Sequence, residues 1–477
     1  MKYLYGASIQ GIQDFIFQTN KLKDIIGASE LVKNVCDQMF EDEFRGKGEI
    51  VVSAAGNIKC IYDDEAECCN AVLKFPKRVM ERVPGITISQ AVVPYEASNF
   101  HEVCDKLEKR LKSQRSCRPK NLLSGLMIIE RSRTTGLPAV CVDKNNGFLD
   151  ECTLSKRKAL GKDNITQLNL FSDFFGKYDK ELVLDFKSLT QHNEWIAIVH
   201  ADGNALGQVV ARKSHNPKEL RQFSLNLDNA TKSAAQKSCN RLKEKGVNVE
   251  RAIRPIILGG DDLTVVCSAD IAVEFVHEYL ELFEIETQEQ IGSKLTACAG
   301  VAFIKSTYPF HYGYQLAESL CSEAKKDAKS ELMISSNNGV APSCLMFHKV
   351  QSSFVEDFVD IKTKELVPQK GISYCNGPYY LKSQEARNTI KELLQLIEQI
   401  DKEENNNVKS SIRRWLSDVS MNSDLAEQKQ KRTLSLLSGK QKELFQAATK
   451  ATIEKNVSYY LAYDLLALHT VKQQCTK

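Results

Sequence analysis

The same order of sequence patterns occurs twice in this chain, and that repeat restricts the fold more than any other feature. Residues 3–96 read as strand, helix, two strands, helix, strand: an apolar start at Tyr3 to Ala7, a helical stripe through Phe15, Ile16, Leu22, Ile25, Ile26 and Leu31, then IVVSAAGNIKCIY and GITISQAVVPYE around a second helix. Residues 195–306 run through the same series, from EWIAIVHADGNALG through a long helix to RPIILGGDDLTVVC, a helix and LTACAGVAFI. Laid over one another, Ser8-Ile9-Gln10 falls on Asp202-Gly203-Asn204, Ala55-Gly56-Asn57-Ile58 on Gly259-Gly260-Asp261-Asp262, and ITISQAVV on LTACAGVA. Ser29 follows Ser8 by 21 residues and Ser224 follows Asp202 by 22. The order β-α-β-β-α-β is the ferredoxin-like unit, so the expectation is an α+β protein with two such domains.

The two copies differ in chemistry. The second carries three carboxylates at its loop and hairpin, Asp202, Asp261 and Asp262, where the first has none. Acidic groups converging at one end of a sheet repel one another unless divalent cations lie between them. That is the arrangement two-metal phosphoryl transfer requires. Gly203, Gly259 and Gly260 have no side chain where a triphosphate would approach the backbone, and the amides of residues 203–206, including Asn204 and Ala205, are expected to face phosphate oxygens.

Between the repeats, residues 101–190 are irregular and include a basic run, KRLKSQRSCRPK at 109–120, read as a solvated helix end rather than an RNA groove. Beyond about residue 380 the pattern is helical, with Ile390, Leu393, Leu394, Ile397 and Ile400 on one stripe and three more helices after DKEENNN. The expected division is a degenerate first domain at 1–100, a small intervening domain at 101–190, a catalytic second domain at 191–350 and a C-terminal α-helical bundle at 351–477.

Composition removes several classes. Lys and Arg number 64 against 61 Asp and Glu, a net charge of +3, which excludes a strongly basic nucleic-acid coat. No apolar run approaches the roughly 20 residues of a bilayer span, and Gly6, Ser8 and Gln10 interrupt any signal-peptide core. A cytoplasmic protein with no membrane association is expected. The fifteen cysteines include no C-x-x-C, so they read as reduced thiols packed as small hydrophobes. His200 lies two residues before Asp202 and reads as a core histidine.

These residues carry a family resemblance. SIQGIQDFIF, GASELV, HADGNALG, ILGGDD, AGVAF, AESLCSEAK and APSCLMFHK resemble the polymerase-like large subunit of type III CRISPR effector complexes, a branch of the GGDD/GGDEF nucleotidyl cyclases. The resemblance implies two facing palm domains, one catalytic and one degenerate, with two ATP molecules between them. It implies Asp202, Asp261 and Asp262 as ligands of Mg²⁺ or Mn²⁺, and Ser29 and Ser224 at the adenine bases. Ser8, Gly203, Asn204, Ala205, Gly259 and Gly260 would also bind nucleotide. Lys325, or Lys326 or Lys329 in its place, would contact phosphate. The implied activity is conversion of ATP or another NTP to a cyclic oligonucleotide messenger for antiviral defence, read by a separate effector. A cyclic dinucleotide or mononucleotide would come from the same chemistry, and a scaffold subunit of an RNA-guided complex is the competing class. RNA, CRISPR-type subunits and a second copy of the chain are the further partners compatible with this reading. Two departures stand out. The chain starts at the first palm without the family's nuclease domain, and IIERSRTTGLPAVC lacks paired cysteines, so zinc is not expected.

Overall fold

The computed structural model describes the chain apart from residues 55, 96–99, 117–127, 144–146, 161–167, 177–183, 191–193, 205, 214–215, 338, 353–356, 385–386, 455 and 473–477. Strand β1 (Lys2–Gln10), helix α1 (Leu22–Asn34), the hairpin β2 (Glu49–Ala54) and β3 (Asn57–Tyr62), helix α2 (Glu65–Arg82) and β4 (Thr87–Tyr95) make the first palm, and α3 (Phe100–Ser116) follows it. The second comprises β5 (Trp195–Gly203), α4 (Pro217–Glu244), β6 (Ile253–Gly259), β7 (Asp262–Ser268), α5 (Ala272–Ile291) and β8 (Ala297–Lys305), followed by α6 (Phe310–Ala328). The sheet orders are β2-β3-β1-β4 and β6-β7-β5-β8, the same arrangement twice. The second sheet goes on past β8 with β9 (Cys344–Lys349) and the short β10 (Tyr379–Tyr380).

The register corrects one detail of the sequence overlay. Ser8 pairs with Ser89 across β1 and β4, and Asp202 pairs with Cys298 across β5 and β8, as the overlay has them. The hairpins, however, close on Ala54 with Asn57 and on Gly259 with Asp262. Both loops are two residues long, so Gly56 stands in the place of Asp261 and Asn57 in the place of Asp262. Matching glycine to glycine had shifted the overlay by one. Gly260 has a φ of +63°, the left-handed region that a glycine enters without the cost a Cβ would bring.

The local rules are ordinary ones. WIAIVHADG is apolar because β5 is paired on both sides and buried on both faces. Helix α4 starts where Asn216 accepts a hydrogen bond from the Lys218 amide, with Pro217 in the first turn where its missing N–H costs nothing.

The two palms pack head to tail. The Ser29 hydroxyl of α1 donates to the Ile256 carbonyl of β6, while Arg221 of α4 donates to the Ile50 carbonyl of β2. Leu220 of α4 completes a small core under α3 with Leu4, Val51, Leu107 and Leu111. A short helix in the intervening region, Asn169–Phe175, is fastened to both palms. Its first amides donate to the buried Glu30 carboxylate of α1 at 2.9 and 3.1 Å, and the Asp173 carbonyl accepts from Gln236 of α4 at 2.8 Å.

The C-terminal part contains α7 (Ile390–Ile400), α8 (Asn406–Met421), α9 (Ser423–Leu436), α10 (Gly439–Thr449) and α11 (Ala462–Lys472). Among the described residues four helices therefore follow α7 rather than three, and a small hairpin, Thr452–Glu454 with Val457–Tyr459, separates the last two. No described helix is long and apolar enough to cross a membrane.

Asp464 of α11 lies in this core, accepting a 2.5 Å hydrogen bond from the Tyr379 hydroxyl. Burial pushes its carboxyl up to about 7 from the ordinary 3.8, against the hydrogen bonds from Tyr379 and the Asn376 amide. The folded state thus holds a proton that the unfolded chain releases near pH 4. The stability this proton supplies is full below pH 4 and is lost as pH rises toward 7. Asp464→Asn is expected to melt close to the wild type at pH 4 and above it at pH 8, with a gain on the order of 2–4 kcal/mol. Equal melting temperatures at both pH values would contradict this placement of the carboxyl.

A carboxylate cluster in the cleft between the palms

A cavity of about 290 Å³ lies between the palms. Ile12, Gln13, Ser29 and Lys33 of the first palm face His200, Asp202, Asp228, Gly259 and Asp262 of the second across it. Gln13 of the first palm donates to the Tyr314 hydroxyl (2.9 Å) and to Glu318 (3.1 Å) of α6, and the rings of Phe17 and Tyr314 are 4.1 Å apart. These contacts close one wall.

Asp202 ends β5, while Asp261 and Asp262 form the tip of the neighbouring hairpin, and the sheet order places the two ends side by side. One oxygen from each of the three carboxylates lies within 4.8 Å of the others, the one group of this kind among the described residues. Gly203 makes the approach fit, because a Cβ there would lie 2.2 Å from the Leu206 side chain and 3.0 Å from Asp261. Burial, then the bond and charge from Asp202, pushes the Asp261 carboxyl up. Burial, then the charges of Asp261 and Asp202, does the same to Asp262. The cluster thus resists full ionisation by itself. Hard oxygen donors at this spacing suit Mg²⁺ or Mn²⁺, whose charge would offset the repulsion.

Lys325, in the last turn of α6, reaches Asp202 and also donates to the Gly203 carbonyl at 2.9 Å. Burial is the largest single influence and would lower this ammonium, but the bond to Asp202 and its charge, with smaller contributions from Cys321 and Cys298, together outweigh it and the group is raised. Lys326 pairs with Glu323 on the exposed side of the same helix. His200 is buried as expected, with Nδ1 3.0 Å from the Thr264 hydroxyl, yet its ring also lines the cavity beside Asp202.

The remaining expectations divide. Ser29 lines the cavity, but Ser224 does not; Asp228, one turn further along α4, takes that place. Ser8 is buried in the first palm, away from the cavity, bonded to Asn57 at 2.9 Å. Asn204 points elsewhere: its amide donates to the Thr296 carbonyl (2.8 Å) and its side chain bonds to Thr296 and Cys298. Those bonds anchor the loop to β8 and leave the Asn204 amide engaged, so it does not face phosphate. Ala205 lies outside the described residues, as do residues 117–120 of the basic run. Gly259 lines the cavity and Gly260 shapes the hairpin.

An ionic chain that sequence reading missed borders the cavity. Asp228 accepts from the Gly260 amide (3.2 Å) and pairs with Lys232 (2.6 Å). Asp173 pairs with both Lys232 (3.0 Å) and Lys33 (2.6 Å). Burial works to raise the Asp173 carboxyl, but the two lysines hold it below its usual range. Lys33 and Asp228 are one helical turn beyond Ser29 and Ser224, which is the spacing that could have flagged them. Asp173→Ala removes the carboxylate shared by the two palms, and a loss of about 1 kcal/mol is expected for partly exposed pairs. A urea titration reads it, and an unchanged midpoint would show the chain of charges to be without consequence.

Comparison with known proteins matches residues 195–333 to the family described as Cas10/Cmr2, second palm domain. No curated protein matches the chain. Among solved structures, a chain of a Csm1-Csm4 cassette in complex with AMPPNP is similar over 99% of this chain and 70% of its own length, at 16% identity and a TM-score of 0.62. Cassettes in complex with pppApApA (16% identity, 99% and 69% coverage, TM-score 0.61) and with cA4 (14%, 99% and 69%, 0.54) are similar as well. In the apo cassette this chain spans only 53% of the matched chain's length. Residues 195–333 are thus similar in sequence to the Cas10/Cmr2 second palm domain, and the whole chain is similar in fold to the matched chains of the Csm1-Csm4 cassettes.

Proposed function

We propose that the chain is a metal-dependent nucleotidyltransferase that converts ATP to a cyclic oligoadenylate, with release of pyrophosphate, in the cytoplasm. The observation that carries this reading is the convergence of Asp202, Asp261 and Asp262 within 4.8 Å beside a cavity whose opposite wall belongs to the other palm. In it, a 3′-hydroxyl attacks the α-phosphate of a second nucleotide, and repetition followed by ring closure gives the cycle. Divalent cations held by the three carboxylates, when bound, would lower the pKa of the attacking hydroxyl and offset the charge of the leaving pyrophosphate.

The chain's own residues position and enclose. Ser29 lines the cavity wall across from the carboxylates and, with its hydroxyl proton given to the Ile256 carbonyl, its oxygen is left to accept from a base edge. Gly259 leaves backbone open to the substrate, since a Cβ there would lie 3.9 Å from its nearest neighbour, an Asp228 oxygen. Lys325 holds the Asp202 carboxylate in place and supplies positive charge at the phosphate end. Solved chains of this fold occur in Csm1-Csm4 cassettes, some in complex with cA4 or cA3, which supports both an adenylate product and a partner subunit.

The test is incubation of the purified protein with each labelled ribonucleoside triphosphate and Mn²⁺ or Mg²⁺, followed by mass spectrometry. A cyclic adenylate that disappears in Asp261→Ala/Asp262→Ala is the expected result. A cyclic dinucleotide or mononucleotide would replace the product named here. No product, together with RNA co-purifying as a raised 260/280 absorbance ratio, would favour the scaffold class.

A further inference from the structure

The degenerate palm keeps a cation where the catalytic palm has Lys325. Helices α3 and α6 occupy the same place after their sheets, and Arg115 and Lys325 each lie fifteen residues beyond the phenylalanine that opens the helix, Phe100 and Phe310. Each reaches back to the same register position of its central strand. Lys325 bonds to Asp202, whereas the Arg115 guanidinium donates to the Ser8 hydroxyl at 3.0 Å. Ser8 in turn donates to Asn57, the residue in the place of Asp262, and Gly56 stands in the place of Asp261.

The substitution is therefore chemically consistent throughout. Where the second palm sets three carboxylates around a lysine, the first sets a hydroxyl, an amide and a glycine around an arginine. Lys325 is charge-paired, while the partner of Arg115 is neutral and the side chain is exposed. Arg115, Gln114, Gln10, Ser89 and Gln90 line a cavity of about 780 Å³ that the first palm shares with Leu137 and Cys152 of the intervening region. Among its described lining residues Arg115 is the one base and Asp14 the one acid.

We propose that Arg115 binds the triphosphate of a ribonucleotide, or of a 5′-triphosphorylated oligonucleotide, at the first palm without a metal ion. The inference rests on the nucleotidyltransferase reading above and assigns the second nucleotide position a residue. A guanidinium offers paired donors to phosphate oxygens and stays charged at every working pH. It can thus supply at this position the positive charge that divalent cations would supply at the other, and no carboxylates are needed to hold it. Ser8 fixes the direction of the guanidinium fork.

Equilibrium dialysis of the full chain with AMPPNP, and separately with 5′-triphosphorylated ApA, tests this with Mn²⁺ and with EDTA. The wild type is expected to bind two AMPPNP per chain in Mn²⁺ and one in EDTA. Arg115→Gln should weaken the EDTA-resistant binding by about 10–100-fold, the loss of a charged hydrogen-bonded contact, and Arg115→Lys should recover part of it. Asp261→Asn/Asp262→Asn should keep that binding while losing the metal-dependent one. Tighter EDTA-resistant binding of AMPPNP assigns the site to the mononucleotide, and tighter binding of the dinucleotide assigns it to the growing chain. Unchanged EDTA-resistant binding in an Arg115→Gln protein of wild-type melting temperature overturns the proposal, as does a wild type that binds only with metal. No binding under any condition would instead remove the nucleotide reading of the whole protein.

Discussion

Asp261→Ala/Asp262→Ala is expected to reduce synthesis by on the order of 10³-fold or more and, in the same tube without metal, to make the protein melt higher than the wild type. The two effects have one origin. Both carboxyls are pushed up, first by burial and then by the neighbouring carboxylates of the cluster, so in the absence of cations the folded protein is strained by every proton it loses there. The unfolded chain ionises them freely. Stability from these groups is therefore greatest at low pH and declines as pH rises through and above the ordinary carboxylate range. Alanine removes that decline, and a gain of about 1–3 kcal/mol at pH 8 in EDTA follows. Addition of Mn²⁺ should reverse the ranking, raising the melting temperature of the wild type and leaving the variant where it was. A variant that still makes product would refute the catalytic assignment. Equal stabilisation of both proteins by Mn²⁺ would show that the metal binds elsewhere.

The second large effect comes from a residue that touches no substrate. Gly300 of β8 lies under α6 so closely that a Cβ would be 2.0 Å from the Ala317 carbonyl oxygen and 2.5 Å from the Cys321 amide nitrogen. Both are backbone atoms of a helix, and neither can turn aside. Gly300→Ala must lift α6 from the sheet, at a cost of roughly 3 kcal/mol or more. Because α6 carries Tyr314, Glu318 and Lys325, the folded fraction should also lose the wall of the cleft and the lysine at Asp202. Gly259→Ala is the contrast, since a Cβ there would meet only an Asp228 oxygen at 3.9 Å, and its stability should change by less than about 0.5 kcal/mol. Thermal melts of the two variants decide the matter, and similar losses in both would contradict the packing described.

The repeat was legible because each palm obeys the same alternation of period two and period 3.6, and because apolar strands such as WIAIVHADG are buried on both faces. The three aspartates stood out for the same reason, as polar residues ending apolar runs. Pairing register was less accessible: a one-residue shift at the Gly56 hairpin changes which residue faces Ser8, and only the ladder decides it. Arg115 was hidden in a run of charges that looked solvated, because nothing local says that its helix ends over Ser8. Asp173 and Lys232 were hidden in the same way, their pairing resting on contacts between segments about 60 residues apart. Asn204 showed the opposite failure. A polar residue after a catalytic-looking aspartate invited a ligand role, and its side chain and amide instead tie the loop to β8.

The packing of α4 against the first palm also has a consequence for synthesis of the chain. The core under α3 is filled by Leu4, Val51, Leu107 and Leu111 from the first palm, but also by Leu220, which the ribosome adds about a hundred residues after α3 has emerged. At roughly 5–20 residues per second, the amino-terminal half waits about 5–20 s with that patch open to water. During this interval the first palm is the part of the nascent chain that a chaperone would hold and a protease would cut. Arrival of α4 ends the exposure, so the second half of the molecule completes the folding of the first.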